Sequence, residues 1–323
     1  MRWGRAYFAL QAIAGLAWWV AVFESSAVRV ATLGGIAPAP VAWFDIPLFV
    51  VASGLAAGGV KVAGVVAAAW TCLVALGLAV YSTVTTEAGW GVMIMASAAG
   101  ASVLAATLLW SGRIPTEELT RGPFEFRPAA PRTGVRRDVL FTLIQMVVFW
   151  GVFLVVVPGL VALLERRWRL AATFPAATVP VGICLLVLAS ALGVASAIVM
   201  STRGHGTPLP SAMPNRLVVA GPYRWVRNPM AVAGIVQGVA VSLILSSWLV
   251  VVYAVVGSAL WNYAIRPQEE ADLLKRFGMQ FADYHKSVRC WIPRVRRWTA
   301  GKDDALPVTS RPYRPLLDRK SVV

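Results

Sequence analysis

Glu269 and Glu270 follow Pro267 at the head of the stretch Arg266-Pro-Gln-Glu-Glu-Ala-Asp-Leu-Leu-Lys-Arg-Phe-Gly278. Leu274, Phe277, Phe281, Tyr284 and Val288 then recur three and four positions apart. That spacing predicts a helix whose apolar stripe lies against the membrane or the helix bundle. Glu270 precedes Leu274 by four residues and falls on the stripe, whereas Glu269 is turned about 100° to the side. A carboxylate on an apolar face is costly unless it is paired or hydrogen-bonded. Glu270 is therefore expected to have a partner, and a cationic or hydrogen-bonding ligand would serve. Acidic residues just after a proline are also ordinary helix-start chemistry, favoured by the macrodipole. Both readings stay open from this segment alone.

The other candidates lie upstream, in Arg203-Gly-His-Gly-Thr-Pro-Leu-Pro210 and Leu217-Val-Val-Ala-Gly-Pro-Tyr-Arg-Trp-Val-Arg-Asn-Pro-Met230. Connections this long are usually functional or disordered, and these are too rich in aromatic and apolar residues for disorder. Gly204 and Gly206 would let the backbone approach a ligand closely, or would simply make a turn. Arg224 and Arg227 suit a carboxylate or phosphate, or serve as headgroup anchors. Asn228 and Pro229 have the residue types of an N-cap and a first helical position. His205 and His285 share no ligand spacing and read as interfacial, and Cys72, Cys184 and Cys290 suggest neither a disulfide framework nor a metal site.

The elements that must position these groups are membrane helices. The 323 residues are 58% hydrophobic and only 14% charged, with a mean hydropathy of +0.67, far from a soluble domain. Spans are expected near 6–23, 43–60, 62–81, 90–111, 138–163, 178–200, 230–246 and 248–265, each close to the roughly 20 apolar residues a bilayer requires. The fold class is thus an all-α polytopic bundle of about eight transmembrane helices. The apolar run Ile46–Val80 is divided at Gly58-Gly59 into a helical hairpin. The N-terminal segment has too long an apolar core for a cleaved signal and reads as the first span.

A net charge of +15 raises the question of nucleic acid, but the placement of the cations answers it. With both termini cytoplasmic, 26 of the 30 Lys and Arg face inward, and only Arg29, Arg166, Arg167 and Arg169 face outward. This is the positive-inside pattern, and it points to anionic lipid as the polyanionic partner. The expected location is a bacterial plasma membrane. Four parts are expected: an N-terminal four-helix module at 1–111, a cytoplasmic linker at 112–137, a core at 138–294 that holds every candidate motif, and a basic tail at 295–323 that reads as disordered.

Taken together, Gly-x-Gly-Thr-Pro, Leu-Val-x-x-Gly-Pro-Tyr-Arg-x-x-Arg-Asn-Pro-Met, Glu-Glu-x-x-Leu, Phe-Gly, Tyr and Ile-Pro-Arg closely resemble the isoprenylcysteine carboxyl methyltransferase and phospholipid methyltransferase superfamily of integral membrane enzymes, over about residues 200–294. The resemblance implies S-adenosylmethionine bound at the cytoplasmic face, between the loop and the Glu-Glu helix. Carried over by position, it implies a cofactor site of Gly204, Gly206, Gly221, Tyr223, Arg227, Asn228, Pro229, Glu269 and Glu270. For transfer to a lipid-like or prenylated methyl acceptor, Glu270 is the expected base if the acceptor is an amine, and Arg227 or Arg224 is expected to hold it if it is a carboxylate. No metal is required. Many members have Arg-His-Pro where Arg227-Asn228-Pro229 stands, and Tyr where Ala231 stands. The rival expectations are a transporter, which would place ionisable residues at membrane depth, and a binding or scaffold protein built on a degenerate site.

Overall fold

The structure, a computed structural model, describes residues 1–120, 135–207 and 213–295. The middle of the expected linker, at 121–134, and nearly all of the expected tail, at 296–323, lie outside the described residues, as do Pro208–Ala212. The described residues are predominantly helical, without strands. Seven of its helices are long and apolar enough to cross a membrane, which makes this an integral membrane protein. The chain divides into two compact units, one of Met1–Pro115 with Ala162–Ala172, the other of Thr116–Val161 with the residues from Thr173 onward.

The first unit contains α1 (Arg2–Glu24), the short α2 (Ser26–Leu33), α3 (Pro38–Ala57), α4 (Lys61–Thr85) and α5 (Gly89–Ser111). Small residues let these helices approach closely. Phe8 packs among Ala52, Ala56, Ala63, Ala67 and Ala105, and a Cβ on Gly4 would stand 2.7 Å from the Ala105 carbonyl oxygen. The turn between α3 and α4 falls at Gly58-Gly59, where Gly59 has a φ of 107°. A buried polar clamp crosses the bundle: Gln11 Nε2 donates to Ser53 Oγ at 3.0 Å, and Ser102 Oγ donates to Gln11 Oε1 at 2.7 Å.

The expected span 43–60 put Asp45 at its start, but α3 begins at Pro38, five residues earlier, and encloses it. Prolines at the first helical turn start a helix instead of breaking it, and Pro38 and Pro40 both sit there. Asp45 is buried and accepts indole N–H bonds from Trp19 at 2.9 Å and Trp70 at 2.7 Å.

The long helix α6 (Val139–Arg167) runs from the second unit into the first. The second unit continues with α7 (Thr178–Gly204), α8 (Pro229–Leu245), α9 (Trp248–Leu260), α10 (Arg266–Phe277) and α11 (Met279–Ser287). The expected eighth span is α8, which at 17 residues is shorter than the other crossings. Its rise of about 25 Å falls short of a hydrocarbon core of about 30 Å. α7 and α8 pack tightly enough that a Cβ on Gly182 would lie 2.8 Å from the Ala240 carbonyl oxygen, and Gln237 Nε2 bridges to Ser190 Oγ at 3.0 Å.

α9 and α10 form one 30-residue helical stretch through a π-turn at Trp261–Ile265. Pro267, which lacks an amide hydrogen, lies just beyond this turn, and proline is a common cause of such irregularity. The apolar part ends with the π-turn, because Arg266, Glu269, Glu270, Asp272, Lys275 and Arg276 all follow it. α10 therefore lies beyond the membrane-spanning segment.

Candidate functional site

The site is assembled where α7 ends, α8 begins and α10 meets α11. Gly278, with φ 54° and ψ −129°, breaks the expected single helix into α10 and α11. The apolar stripe survives the break. Phe277, Phe281, Tyr284 and Val288 cluster with Leu273, Leu274, Leu217 and Val219. The stripe thus packs on the 217–219 segment of the loop and not on the membrane or the helix bundle. Tyr284 secures this contact by donating its hydroxyl to the Tyr223 carbonyl oxygen at 2.7 Å.

Arg227 is the centre of the polar network. Its Nη2 meets Glu270 Oε1 at 2.8 Å, and its Nη1 donates to the carbonyl oxygens of His285 and Val288, both at 2.9 Å. Its backbone N–H donates to the Arg289 carbonyl oxygen at 2.9 Å. The second oxygen of Glu270 lies 3.3 Å from His285 Nε2. Glu270 thus has the partner expected of it, and the partner is a residue of the loop. The 289–294 segment is fixed in turn by Arg294 N–H, which donates to the Trp225 carbonyl oxygen at 2.9 Å, and by Trp291 Nε1, which donates to Asn262 Oδ1 at 3.0 Å.

Glu269 differs from its neighbour. It is half-buried, and no hydrogen bond or ion pair reaches it among the described residues. Burial pushes its carboxyl up to about 7, with Glu270 and Asp272 adding repulsion. Burial likewise raises the phenol of Tyr223 well above its ordinary value, and the charge of Glu269 contributes. Two donors of the site are also unmatched: the Nε–H groups of Arg227 and Arg266 are buried without an acceptor. The α10 head and the loop thus hold a carboxyl group without a cation and two guanidinium N–H groups without an acceptor. These are the complements of a zwitterionic ligand.

The remaining candidates serve local structure first. Asn228 Oδ1 accepts from Ala231 N–H at 3.0 Å as the N-cap of α8, and Pro229 occupies the following position. A Cβ on Gly204 would stand 2.8 Å from Pro214 Cβ and from Val218 Cγ2, and one on Gly206 would stand 2.6 Å from Pro214 Cα. Both glycines thus admit the 213–218 segment, and their backbones alone remain for a ligand. Gly221 has a φ of 55° at the start of a 3-10 turn. Arg224 Nε reaches the Val219 carbonyl oxygen at 3.4 Å, so Arg224 and Arg227 point to different partners and form no joint clamp. His285, read as merely interfacial, touches Glu270. The break at Gly278 removes any simple periodic relation that would have exposed this pairing.

Among the described residues, no group of three or more His, Cys, Asp or Glu is placed to hold a metal ion. No curated protein and no solved structure matches the chain. Residues 177–280, from the start of α7 into α11, match the family model for phospholipid methyltransferase, which belongs to the isoprenylcysteine and phospholipid methyltransferase superfamily.

Proposed function

We propose that the chain is an S-adenosylmethionine-dependent methyltransferase acting on a membrane-partitioned acceptor, either the carboxylate of a prenylated cysteine-like compound or the amine of a lipid. The observation that carries this reading is Glu269, a half-buried carboxylate with no cation beside it. An ammonium group of the cofactor's amino-acid end would neutralise it, and the Nε–H groups of Arg227 and Arg266 would receive the carboxylate. The backbone at Gly204, Gly206 and Gly221, with Tyr223, Asn228 and Pro229, would shape the wall around them. When bound, S-adenosylmethionine supplies an electrophilic methyl group on a sulfonium.

The protein's own task is alignment and exclusion of water. Glu270 and Arg227, joined at 2.8 Å, hold the loop against α10 and so fix the distance between the two walls. For an amine acceptor a base must take up the ammonium proton, and Glu270, whose second oxygen lies 3.3 Å from His285 Nε2, takes this role. For a carboxylate acceptor, the guanidinium of Arg224 would hold the anion in line. With both termini cytoplasmic, the site faces the compartment that holds a soluble cofactor, while the acceptor enters laterally from the lipid.

Calorimetric titration of S-adenosylmethionine into the purified full chain tests the reading. The wild type is expected to bind in the micromolar range and Glu269→Gln to lose most of that affinity with its fold intact; no binding by a folded wild type would remove the assignment. Transfer of a radiolabelled methyl group into lipid extract then separates the acceptors, because an ester is released by base and an N-methyl group is not.

A further inference from the structure

The last turn of α6 and the residues just after it present Arg166, Arg167 and Arg169 beside Leu163 and Thr86, around a cavity of about 300 Å³. All five residues belong to the first unit. The cluster opposes the charge pattern of the rest of the chain, which concentrates cations in the other loops, so its retention calls for a reason.

The rim is built rather than incidental. Arg167 Nε donates to the Thr83 carbonyl oxygen at 2.6 Å, its Nη2 donates to the Val84 carbonyl oxygen at 3.3 Å, and Trp168 Nε1 donates to Thr83 Oγ1 at 2.9 Å. These bonds cap the end of α4 with a cation, as the helix dipole favours. The Trp168 carbonyl approaches Gly89 so closely that a Cβ there would stand 2.1 Å from its oxygen. Thr86, Ala88 and Arg169 all hold left-handed backbone, with φ of 66°, 57° and 55°. Non-glycine residues in this region are sparsely populated and cluster at binding sites. Glu87, the carboxylate on this turn, does not line the cavity: its Oε2 accepts from Tyr81 Oη at 2.7 Å and Gly35 N–H at 2.8 Å, and Arg169 also acts on it through charge.

We propose that this cavity binds a phosphate group, held by the guanidinium groups of Arg166 and Arg169 with Arg167 bracing the wall. Guanidinium forks match phosphate oxygens in geometry as well as charge. The volume is at the lower end of small-ligand clefts, so it suits a headgroup rather than a whole lipid. Leu163, 61% exposed on the same rim, offers an apolar flank for the start of an acyl chain. Basic pockets between membrane helices recognise anionic headgroups on the cytoplasmic side, and the same charge and geometry serve at the opposite face.

The test is native mass spectrometry of the detergent-purified full chain with three probes: dihexanoyl phosphatidylglycerol, inorganic phosphate, and dihexanoylglycerol, which lacks the phosphate. Arg169→Gln and Arg166→Gln are each compared with wild type, and Arg136→Gln, an exposed site in another part of the chain, removes the same charge elsewhere. The cavity variants are expected to weaken phosphatidylglycerol binding about tenfold or more, as for a charge-assisted hydrogen bond. Arg136→Gln and dihexanoylglycerol should show no such effect. Inorganic phosphate binding as tightly as the lipid, with the same arginine dependence, would make the ligand a soluble phosphate; much weaker phosphate binding would make it a headgroup. Wild-type lipid and phosphate binding in both cavity variants, or equal weakening by Arg136→Gln, would overturn the proposal. Two separate variants, each checked for an unchanged melting transition, guard against loss of fold at either position.

Discussion

The Arg227 guanidinium meets the Glu270 carboxylate at 2.8 Å across 43 positions of sequence, with their side chains 11% and 22% exposed. The pair joins the loop before α8 to the first turns of α10, so it is the contact on which the shape of the candidate site depends. Removing either partner leaves the other poorly solvated. Arg227→Met and Glu270→Gln should each cost about 1–3 kcal/mol, and the double variant should reveal a coupling of about 1–3 kcal/mol. Denaturant unfolding in detergent provides the measurement. A coupling near zero would mean that the bonds from Arg227 to the His285 and Val288 carbonyls hold the loop without Glu270.

Glu269 predicts a pH dependence of opposite sign to that of a salt-bridged acid. Its folded carboxyl titrates near 7, against 4.5 in the unfolded chain, because burial and the neighbouring acids disfavour the charge. Between those values the folded state binds more protons than the unfolded state, so stability falls as pH rises from about 4.5 to about 7 and then levels off. Glu269→Gln should flatten the melting midpoint over that window and raise it at neutral pH. A variant with the same slope as wild type would show that the carboxylate already has a cationic partner.

Much of this architecture was legible in the sequence because it rests on local rules. The hairpin at Gly58-Gly59 needed only a glycine pair in an apolar run, and a φ of 107° at Gly59 is the physical reason for it. Asn228 and Pro229 marked the start of α8 by residue type alone. What was hidden depends on long-range pairing or on context. Pro38 and Pro40 start their helix five residues ahead of the expected span, which brings Asp45 inside it. Gly278 divides α10 from α11 and so obscures the meeting of His285 with Glu270. The need of Glu270 for a partner was legible; that Arg227 supplies it was not, since no local rule spans such a separation. The apolar stripe was visible, but its partner Val219 lies in a loop with no periodicity to announce it.

Gly206 offers a way to separate two meanings of the Gly-x-Gly turn. A Cβ at this position would stand 2.6 Å from Pro214 Cα and 2.8 Å from the Met213 carbonyl carbon and oxygen. These are backbone atoms, so no side chain can rotate away, and Gly206→Ala must displace the 213–215 segment. That segment is tied to α7 by Asn215 N–H, which donates to the Gly204 carbonyl oxygen at 2.8 Å. The substitution should therefore cost about 1–3 kcal/mol, as for other overpacked sites. Gly234→Ala, in α8 with nothing within 4 Å of the new methyl group, should leave the melting midpoint unchanged or raise it, since alanine favours helix by up to about 1 kcal/mol. Melting curves of the two variants in the same detergent make the comparison. If Gly206→Ala melts like wild type yet no longer binds S-adenosylmethionine, the space beside this glycine belongs to the ligand and the 213–215 segment moves aside to admit it. If it loses stability and affinity together, the glycine is there for the packing of the loop, and the loop's position against α7 is what the cofactor requires.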